Sequence, residues 1–380
     1  LAPLLRITRV KDEQGAHFAI DLDTQPLRGF LERLAPELQR ESANPRFIFN
    51  DDTHQLELIQ AGVEGRTLKV EASLSALRKA ILEGQHEVPL VLDLSPPAVS
   101  DDATAASLGI TELVSQHTTY FYGSSAARIH NIQVAAGRFH GYLVAPGETF
   151  SMIKVLGDVS LDTGYEEALI IYGDRTIKGV GGGVCQVSTT LFRTVFFGGY
   201  PVVERHSHAY RVLYYEQTAS GAVDPKWAGL DATVYAPLVD FKFKNDTPNW
   251  ILMEVYVYPK YRYITWKFYS TSDGRTVEWH TTGLQNVVDP PPPKYIENPE
   301  LEKGEIKQVD WAVKGADVTV TRKVWRDDAL LFEDVFKTHY LPWRAVCEYG
   351  PGTPGMPPKH PDPKHPCKPD PVEEDEGGGD

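Results

Sequence analysis

The feature that most constrains this chain is an apolar run between two groups of glycines, GVGGGVCQVSTTLFRTVFFGGY. Glycines at 181–183 allow the backbone to turn tightly, and glycines at 198–199 are typical of a helix end. The residues between them place one helical face in a core: Val187, Leu191 and either Thr194 or Val195. The segment therefore predicts a helix with Cys185 in its first turn.

A cysteine in the first turn of a helix has a chemical consequence. Unpaired amide N–H groups and the positive end of the helix dipole stabilise an anion, so the thiol pKa falls below its usual value of about 8.5. The same amides can hold an oxyanion during acyl transfer. The sequence thus favours a nucleophilic role for Cys185, while a buried, purely structural cysteine remains open.

A base and an orienting carboxylate are expected downstream. If PVVERHSHAYRVLYYE is a strand, His206, His208 and Tyr210 share one face. Asp231, in GLDATVY, is the first candidate for the carboxylate and Glu204 the second. We therefore predict a catalytic set of Cys185, His206 or His208, and Asp231. His206 and His208 could also be ligands of a zinc ion. No HExxH motif is present, and we predict no metal or other cofactor.

The first 110 residues have the pattern of a small α+β domain. HFAIDLD predicts a strand, and the next helix carries Pro26 in its first turn and apolar residues at helical spacing: Leu27, Phe30, Leu31, Leu34 and Leu38. RFIFN and HQLELIQ predict a hairpin around two aspartates. A second helix is predicted from Ser73 to Gly84, and EVPLVLDL predicts a final strand.

The rest of the chain divides into three further parts. We expect an α+β domain over 111–288, then a proline-rich linker and a β-rich module over 289–347, in which DVTVTRKVW and LLFEDVFKTHY alternate. Residues 348–380, rich in proline and acidic residues, predict a disordered tail. Cys347 and Cys367 can form one disulfide, which would leave Cys185 free. The fold class is multidomain α+β.

Charge and hydropathy narrow the range of partners. The formal net charge of −14 disfavours nucleic acids and anionic membranes, because both attract basic surfaces. No stretch approaches eighteen consecutive apolar residues, so no transmembrane helix is predicted. Because the sequence opens at Leu1 without a methionine, we expect an upstream signal or anchor.

Several motifs together resemble the VanW family. These are GGGVCQVSTTLF, ERHSHAYRV and GLDATVY, with Arg128, Asn131 and APGETFS upstream and DFKFKN downstream. Residues 16–95 resemble the peptidoglycan-binding domain that often precedes VanW, and 296–347 resemble the small β module that follows it. The loop EQTASGAVDPKWAG before Asp231 departs from the family pattern.

The resemblance implies an exported, extracellular or cell-envelope protein whose partner is peptidoglycan or another wall polymer. The family supplies no activity to carry over, so we hold three hypotheses: Cys185-dependent hydrolysis or transpeptidation of peptide stems, a non-catalytic wall-binding or scaffolding protein, and a zinc-dependent wall hydrolase. Candidate binding residues lie in and beside the motifs: Gly181, Gly182, Gly183, Gln186, Ser188, Arg205, Arg128 and Asn131.

Overall fold

The computed structural model describes residues 5–12, 15–172 and 175–371. The chain divides into two compact units, one of Leu1–Ile48 with Leu56–Thr104 and one of Phe49–Gln55 with Ala105–Asp380. Among the described helices, none has the length and apolar character needed to cross a membrane.

The first unit contains the predicted strands and helices in their predicted order, together with two strands, Leu5–Asp12 and Gly65–Leu68, that the sequence analysis did not predict. Its elements are β1 (Leu5–Asp12), β2 (Gly15–Leu22), α1 (Gln25–Leu38), β3 (Arg46–Asn50), β4 (Gln55–Gln60), β5 (Gly65–Leu68), α2 (Val70–Leu82) and β6 (Leu92–Ser95). β1 pairs with β2, β3 with β4 and β5 with β6. The expected hairpin around the two aspartates is therefore present.

The apolar face of α1 packs against α2 and β5. Leu31, Leu68 and Leu74 form the buried centre of this small core. Phe30, which we expected in the same apolar face, is 52% exposed because it lies on the outer side of the helix. The start of α2 was also predicted too late: Ser73 lies inside the helix, where its hydroxyl accepts a hydrogen bond from the Val91 amide (2.9 Å) instead of capping the helix end.

The second unit begins with an α+β domain. Its elements are α3 (Ala105–Leu108), β7 (Glu112–Tyr120), α4 (Ala126–Gly137), β8 (Tyr142–Val144), β9 (Thr149–Ser151), α5 (Met152–Leu156), β10 (Glu167–Tyr172), β11 (Arg175–Val180), α6 (Val184–Phe197), β12 (Val202–Glu204), β13 (Lys242–Lys244), β14 (Ile251–Tyr258) and β15 (Tyr263–Ser270). β7, β15, β14 and β8 form an antiparallel sheet in that order.

The glycine-bracketed segment forms α6, the central helix of this domain. It starts after Gly183 and ends at Gly198, as predicted. From Val184 to Phe196 every residue is buried except Cys185. The helix is thus surrounded by core on all sides, and its polar side chains bond to buried backbone: Ser188 and Thr189, for example, both donate to the Ala232 carbonyl.

The strand predicted for residues 201–216 is confirmed only at its start. β12 ends at Glu204, and pairing continues in the described chain as an isolated bridge between His206 and Thr233. The backbone leaves the strand because the side chains of Arg205 and His208 both bond to Asp231. His206 and His208 therefore do not share a strand face.

The second unit continues into β strands: β16 (Arg275–Thr281), β17 (Gln285–Val288), β18 (Lys294–Glu297), β19 (Ile306–Asp310), β20 (Gly315–Arg326), β21 (Ala329–Tyr340) and β22 (Val346–Tyr349). β20 and β21 form the predicted hairpin, and Asp327 and Asp328 adopt the positive φ angles, 48° and 62°, that such a tight turn requires. β16 and β17, which we placed in the preceding domain, pair with β20.

A disulfide joins Cys347 in β22 to Cys367. It ties residues 351–371, most of the segment predicted as a disordered tail, to the β strands. The Tyr295 hydroxyl also donates to the Pro366 carbonyl (2.9 Å), and Thr353 is buried. The end of the predicted tail, 372–380, lies outside the described residues.

We expect the double substitution Cys347→Ser, Cys367→Ser to release residues 351–371. A disulfide that closes a loop of this size stabilises a fold by roughly 3 kcal/mol, so limited proteolysis should cleave the variant in this segment at least tenfold faster. The alkylation rate of Cys185 serves as the control and should not change. Equal cleavage of variant and wild type would contradict the prediction.

Candidate active site

The glycines before α6 are required by the local backbone. Gly183 has a φ of 119° and Gly181 a φ of 86°, which other residues rarely adopt. A Cβ atom at Gly182 would lie 2.5 Å from the Leu169 carbonyl oxygen, too close for any side chain. This tight approach brings α6 to the surface at one point, the half-buried thiol of Cys185.

The Cys185 thiol lies next to the imidazole of His208. His208 is close enough to lower the pKa of the thiol, and the sulfur contacts the Thr233 hydroxyl (3.5 Å) and the Val234 carbonyl (3.6 Å). Nδ1 of His208 bonds to Asp231 at 2.6 Å, so Nε2 is the ring nitrogen left for the sulfur. The structure thus brings Cys185, His208 and Asp231 together in the order that nucleophile, base and orienting carboxylate require.

Buried donors surround the Asp231 carboxylate. One oxygen, Oδ2, accepts from both the backbone N–H (2.8 Å) and Nδ1 (2.6 Å) of His208. The other, Oδ1, accepts from the Arg205 guanidinium (3.1 Å) and the Tyr340 hydroxyl (2.5 Å). Both carboxylate oxygens of Asp231 are therefore fixed by two hydrogen bonds each. The His208 ring is oriented because Asp231 bonds to both the backbone and the side chain of His208.

The charges of the three groups are coupled. Burial alone would raise the pKa of the Cys185 thiol, but the hydrogen bond and positive charge of His208 lower this pKa to about 7. Burial would lower the pKa of His208, but its bonds to Asp231 and Cys185 raise that pKa to about 9. His208 and Arg205 hold the pKa of Asp231 well below its usual range despite its burial. Near neutral pH the site therefore holds a substantial fraction of thiolate–imidazolium pair.

His206, the other candidate base, lies outside this group. Its side chain is exposed, and Nε2 bonds to Glu204 (3.0 Å), our second choice for the carboxylate. Glu204 in turn accepts from Lys242 (2.7 Å). These two candidates form a hydrogen-bonded pair at the surface and are not part of the Cys185 site.

Arg128 and Gln186 form a buried pair behind Cys185. The Arg128 guanidinium donates to Gln186 Oε1 (2.9 Å) and to Ser124 (2.6 Å), and lies 4.3 Å from the centre of the Tyr214 ring. Gln186 donates in turn to Thr119 (2.8 Å). These contacts anchor the start of α6 to α4 and β7.

The other polar candidates for binding also bond within the protein. Asn131 donates to the Gly182 carbonyl (2.9 Å), which fixes the glycine turn, and Ser188 donates to Ala232 (2.6 Å). Arg205 bonds to both the backbone and the side chain of Asp231. These bonds show that Asn131, Ser188 and Arg205 hold the site in position. The adjacent cleft is also lined by Arg128 and residues 181–183.

Cys185 and His208 open into a cleft with a volume of about 1610 Å³. Its walls are mostly apolar and include Leu213, Tyr235 and Leu238, all exposed. Lys154 and Lys242 also line it. The cleft is large enough to take an extended peptide rather than a single small molecule.

The amide of Cys185 lies at the start of α6, where helical hydrogen bonds are incomplete. The neighbouring amides of Val184 and Gln186 donate to the carbonyls of Gly181 and Gly183. Within the part of the chain that the structure describes, no backbone acceptor is seen for the Cys185 amide. This N–H therefore suits an oxygen that develops negative charge beside the thiol.

A metal site was one of the alternatives for this segment. In the described ranges, no three or more His, Cys, Asp or Glu side chains are grouped so as to hold a metal ion. Both Asp231 oxygens already accept two hydrogen bonds each.

The residue that sequence reasoning missed is Tyr340. It lies at the end of β21, 109 positions from Asp231, and its hydroxyl also accepts from the Gly229 amide (2.9 Å). Nothing near Tyr340 in the sequence marks it as part of a site. Thr233, by contrast, lies in the GLDATVY motif two residues after Asp231. Its closeness to Asp231 in the sequence was a signal that could have identified it as part of the site.

Comparisons with known proteins identify two parts of the chain. A family model described as "VanW like protein" matches residues 127–269, and one described as "Putative peptidoglycan binding domain" matches residues 4–89. The chain contains a VanW-like domain, and the resemblance read from its motifs is confirmed.

Two curated proteins are similar over this domain. Uncharacterized protein YoaR of Bacillus subtilis is 40% identical over 143 residues, which cover 38% of this chain and 44% of that protein. Vancomycin B-type resistance protein VanW of Enterococcus faecalis is 30% identical over 120 residues, which cover 32% of this chain and 42% of that protein. The matched region thus spans less than half of either relative.

The solved structures add little. An IgA1 protease G5 domain is 16% identical, covering 20% of this chain and 90% of its own, with a TM-score of 0.13. Another G5 domain, from HP0197, is 14% identical, and the match covers 20% of this chain and 97% of that domain, with a TM-score of 0.11. Such TM-scores do not establish a shared fold.

The pairing of Cys185 with His208 predicts a low thiol pKa. Alkylation of the folded protein by iodoacetamide should increase with pH with a midpoint near 7, because only the thiolate reacts. His208→Ala removes the lowering interactions and leaves burial, so the midpoint should move above about 8.5. His206→Ala is the matched control and should leave the midpoint in place. An equal shift in both variants, or in neither, would contradict the assignment.

Tyr340→Phe tests the bond between β21 and the carboxylate. The change leaves Asp231 Oδ1 with Arg205 alone and the Gly229 amide without its acceptor, at a cost of about 1–3 kcal/mol in unfolding free energy. The alkylation midpoint should stay close to that of wild type, because Asp231 stays ionised and both of its bonds to His208 remain. Denaturant titration measures the loss of stability, and the alkylation profile serves as the control. A stability equal to wild type would contradict the prediction.

Proposed function

We propose that this protein is an exported, cell-wall-associated enzyme that binds peptidoglycan and transfers acyl groups of its peptide stems through Cys185. Association with the wall is supported by the match of residues 4–89 and by the VanW-like domain. The proposed reaction is supported mainly by the contacts that run from Cys185 through His208 to Asp231, at the edge of a cleft large enough for a peptide.

In the first step the Cys185 thiolate attacks a carbonyl carbon of the stem. A C–S bond forms, and the carbonyl oxygen becomes an oxyanion, to which the Cys185 amide can donate. The tetrahedral intermediate then collapses: the C–N bond breaks, and the leaving amine takes the proton from Nε2 of His208. The products of this step are a thioester on Cys185 and a free amine.

In the second step an acceptor attacks the thioester. The neutral His208 takes the acceptor's proton, the C–S bond breaks, and the sulfur leaves as thiolate. Water as acceptor gives hydrolysis, whereas an amine of a second stem gives a new amide and hence transpeptidation. Asp231 stabilises the imidazolium present before and after each turnover.

The cleft suits an extended peptide. Its mostly apolar walls can pack against such a chain, and both cations and carboxylates lie along it: Lys154, Lys242, Asp158, Asp240 and Asp310. Lys242 is already paired with Glu204 (2.7 Å) and Asp240 (3.7 Å).

The scaffolding alternative expected a buried, unreactive sulfur. Cys185 is instead half-buried, borders the cleft and has a lowered pKa. These properties favour the enzyme over the scaffold. The zinc hydrolase has no such observation in its favour.

The test is an incubation of the full chain with soluble muropeptides. Wild type should form a covalent adduct on Cys185, seen by intact-mass and peptide mass spectrometry, and should release stem-derived products. Cys185→Ser should form no thioester, and His208→Ala should react about 10²–10⁴-fold more slowly, while His206→Ala retains the wild-type rate. Cross-linked or shortened stems identify the acceptor. Product formation by Cys185→Ser at the wild-type rate would refute the proposal.

A further inference from the structure

A cluster of aromatic side chains covers the sheet face opposite α6. Along β7, Ser115, His117 and Thr119 point to α6, where Ser115 donates to the Thr194 carbonyl. The residues between them point to the other side and, with β14 and β15, line a shallow depression of about 760 Å³. We call this surface the tyrosine face, after its six tyrosines: Tyr120, Tyr122, Tyr256, Tyr258, Tyr261 and Tyr263.

Three of these rings form a row across adjacent strands. Tyr258 is opposite Tyr263, and Tyr263 is opposite Tyr120, in the antiparallel register. The rings of Tyr258 and Tyr263 stack with centres 4.5 Å apart, and Tyr120 and Tyr263 lie 6.2 Å apart. Three strands place the ends of this row roughly 10 Å apart. The stacked rings of Tyr258 and Tyr263 cover each other on one side, and Tyr120 is tilted by 59° from Tyr263, so the row is an aromatic ridge rather than one flat surface.

Part of the tyrosine face is open to solvent. The face holds six of the chain's eighteen tyrosines, of which Tyr258 is 38% and Tyr261 58% exposed. A solvent-facing side of an antiparallel sheet is normally polar. Two of the six hydroxyls bond within the protein, from Tyr122 to Ala219 and from Tyr256 to Glu254. Within the described residues, the other four have no such bond.

The charge of the surface is also distinctive. Lys260 and Lys267 are among its lining residues, whereas the carboxylate that bonds to Tyr256, Glu254, is buried beneath the face. Lys260 lies 5.7 Å from the centre of the Tyr261 ring, and Lys267 lies 5.8 Å from that of Tyr256. In a chain with a net charge of −14, this surface combines aromatic rings with positive charge.

We infer that the tyrosine face binds the glycan strand of peptidoglycan. A sugar ring has an apolar C–H face, which stacks on an aromatic ring, and a rim of hydroxyls, which bond to tyrosine hydroxyls at the same surface. The lysines suit the carboxylates that muramic acid units and their stems carry. The inference rests on the proposed association with the wall, and it adds a second binding surface to the VanW-like domain, apart from the Cys185 cleft.

The two surfaces meet at one loop. Gln217 borders the cleft, and its side-chain amide bonds to both the amide (2.8 Å) and the carbonyl (3.1 Å) of Tyr122, at the edge of the tyrosine face. Ala219, two residues further, lines the tyrosine face. A glycan on this face would thus lie across this loop from the cleft.

Hydroxyl-radical footprinting of the full chain tests the inference locally, without interference from binding by residues 4–89. The probe is a set of peptide-free glycan strands, which bear free lactyl carboxylates. At saturation they should reduce oxidation of Tyr258 and Tyr261 at least threefold, while the exposed Tyr235 of the cleft serves as reference. A neutral chitin oligosaccharide should protect more weakly, because it lacks the carboxylates. Unchanged oxidation of Tyr258 and Tyr261 would overturn the inference, as would protection by teichoic acid alone.

Variants separate the contributions of ring and charge. Lys260→Gln with Lys267→Gln should raise the glycan concentration for half-protection about tenfold at low salt, and Tyr263→Ala should do the same by breaking the row. Tyr263→Phe keeps the ring and should restore most of the binding. The alkylation profile of Cys185 should match wild type in all of these variants. Loss of glycan protection therefore reports on the tyrosine face, whereas loss of the Cys185 adduct reports on the proposed enzyme.

Discussion

The buried carboxylate of Asp231 is the interaction on which the candidate site depends. Four hydrogen bonds reach it, from the His208 backbone, the His208 ring, Arg205 and Tyr340. An isolated buried carboxylate would be costly, so the donors must be in place for the folded state to keep the charge. That charge in turn holds the imidazole of His208 as a cation beside Cys185, and the cation lowers the thiol pKa.

Local pattern was sufficient for most helices and strands and for the position of Cys185. The glycines around α6 have strong conformational signatures, so the helix, its ends and the position of Cys185 followed from the sequence. The choice between His206 and His208 did not, because it rested on a predicted strand. The backbone leaves that strand at Glu204 to satisfy Asp231, a residue 23 positions beyond His208. The contact with Asp231 therefore determines which histidine lies beside Cys185, and the alternation of side chains along a strand could not predict this.

The family motifs have a structural role as well as a chemical one. Asn131 holds the glycine turn, and Asn245 donates to the carbonyls of Val144 (3.1 Å) and Asn249 (2.8 Å). Asp240 accepts from Ser151 (2.6 Å) and from the Ile153 amide (3.0 Å). Polar residues at such positions fix loops that have no regular hydrogen bonding of their own. A motif residue in this domain is therefore not by itself evidence of ligand contact.

The position of Tyr340 in the chain bears on the order of assembly. Cys185, His208 and Asp231 lie within 47 residues of one another, but the last donor to Asp231 comes from the end of β21. Synthesis from the N-terminus therefore completes Cys185, His208 and Asp231 well before Tyr340 is made. The hydrogen bonds to the carboxylate are complete only once β21 is in place. A fragment that ends at residue 269, where the VanW match stops, would contain all three residues without the hydroxyl that completes the bonds of Asp231.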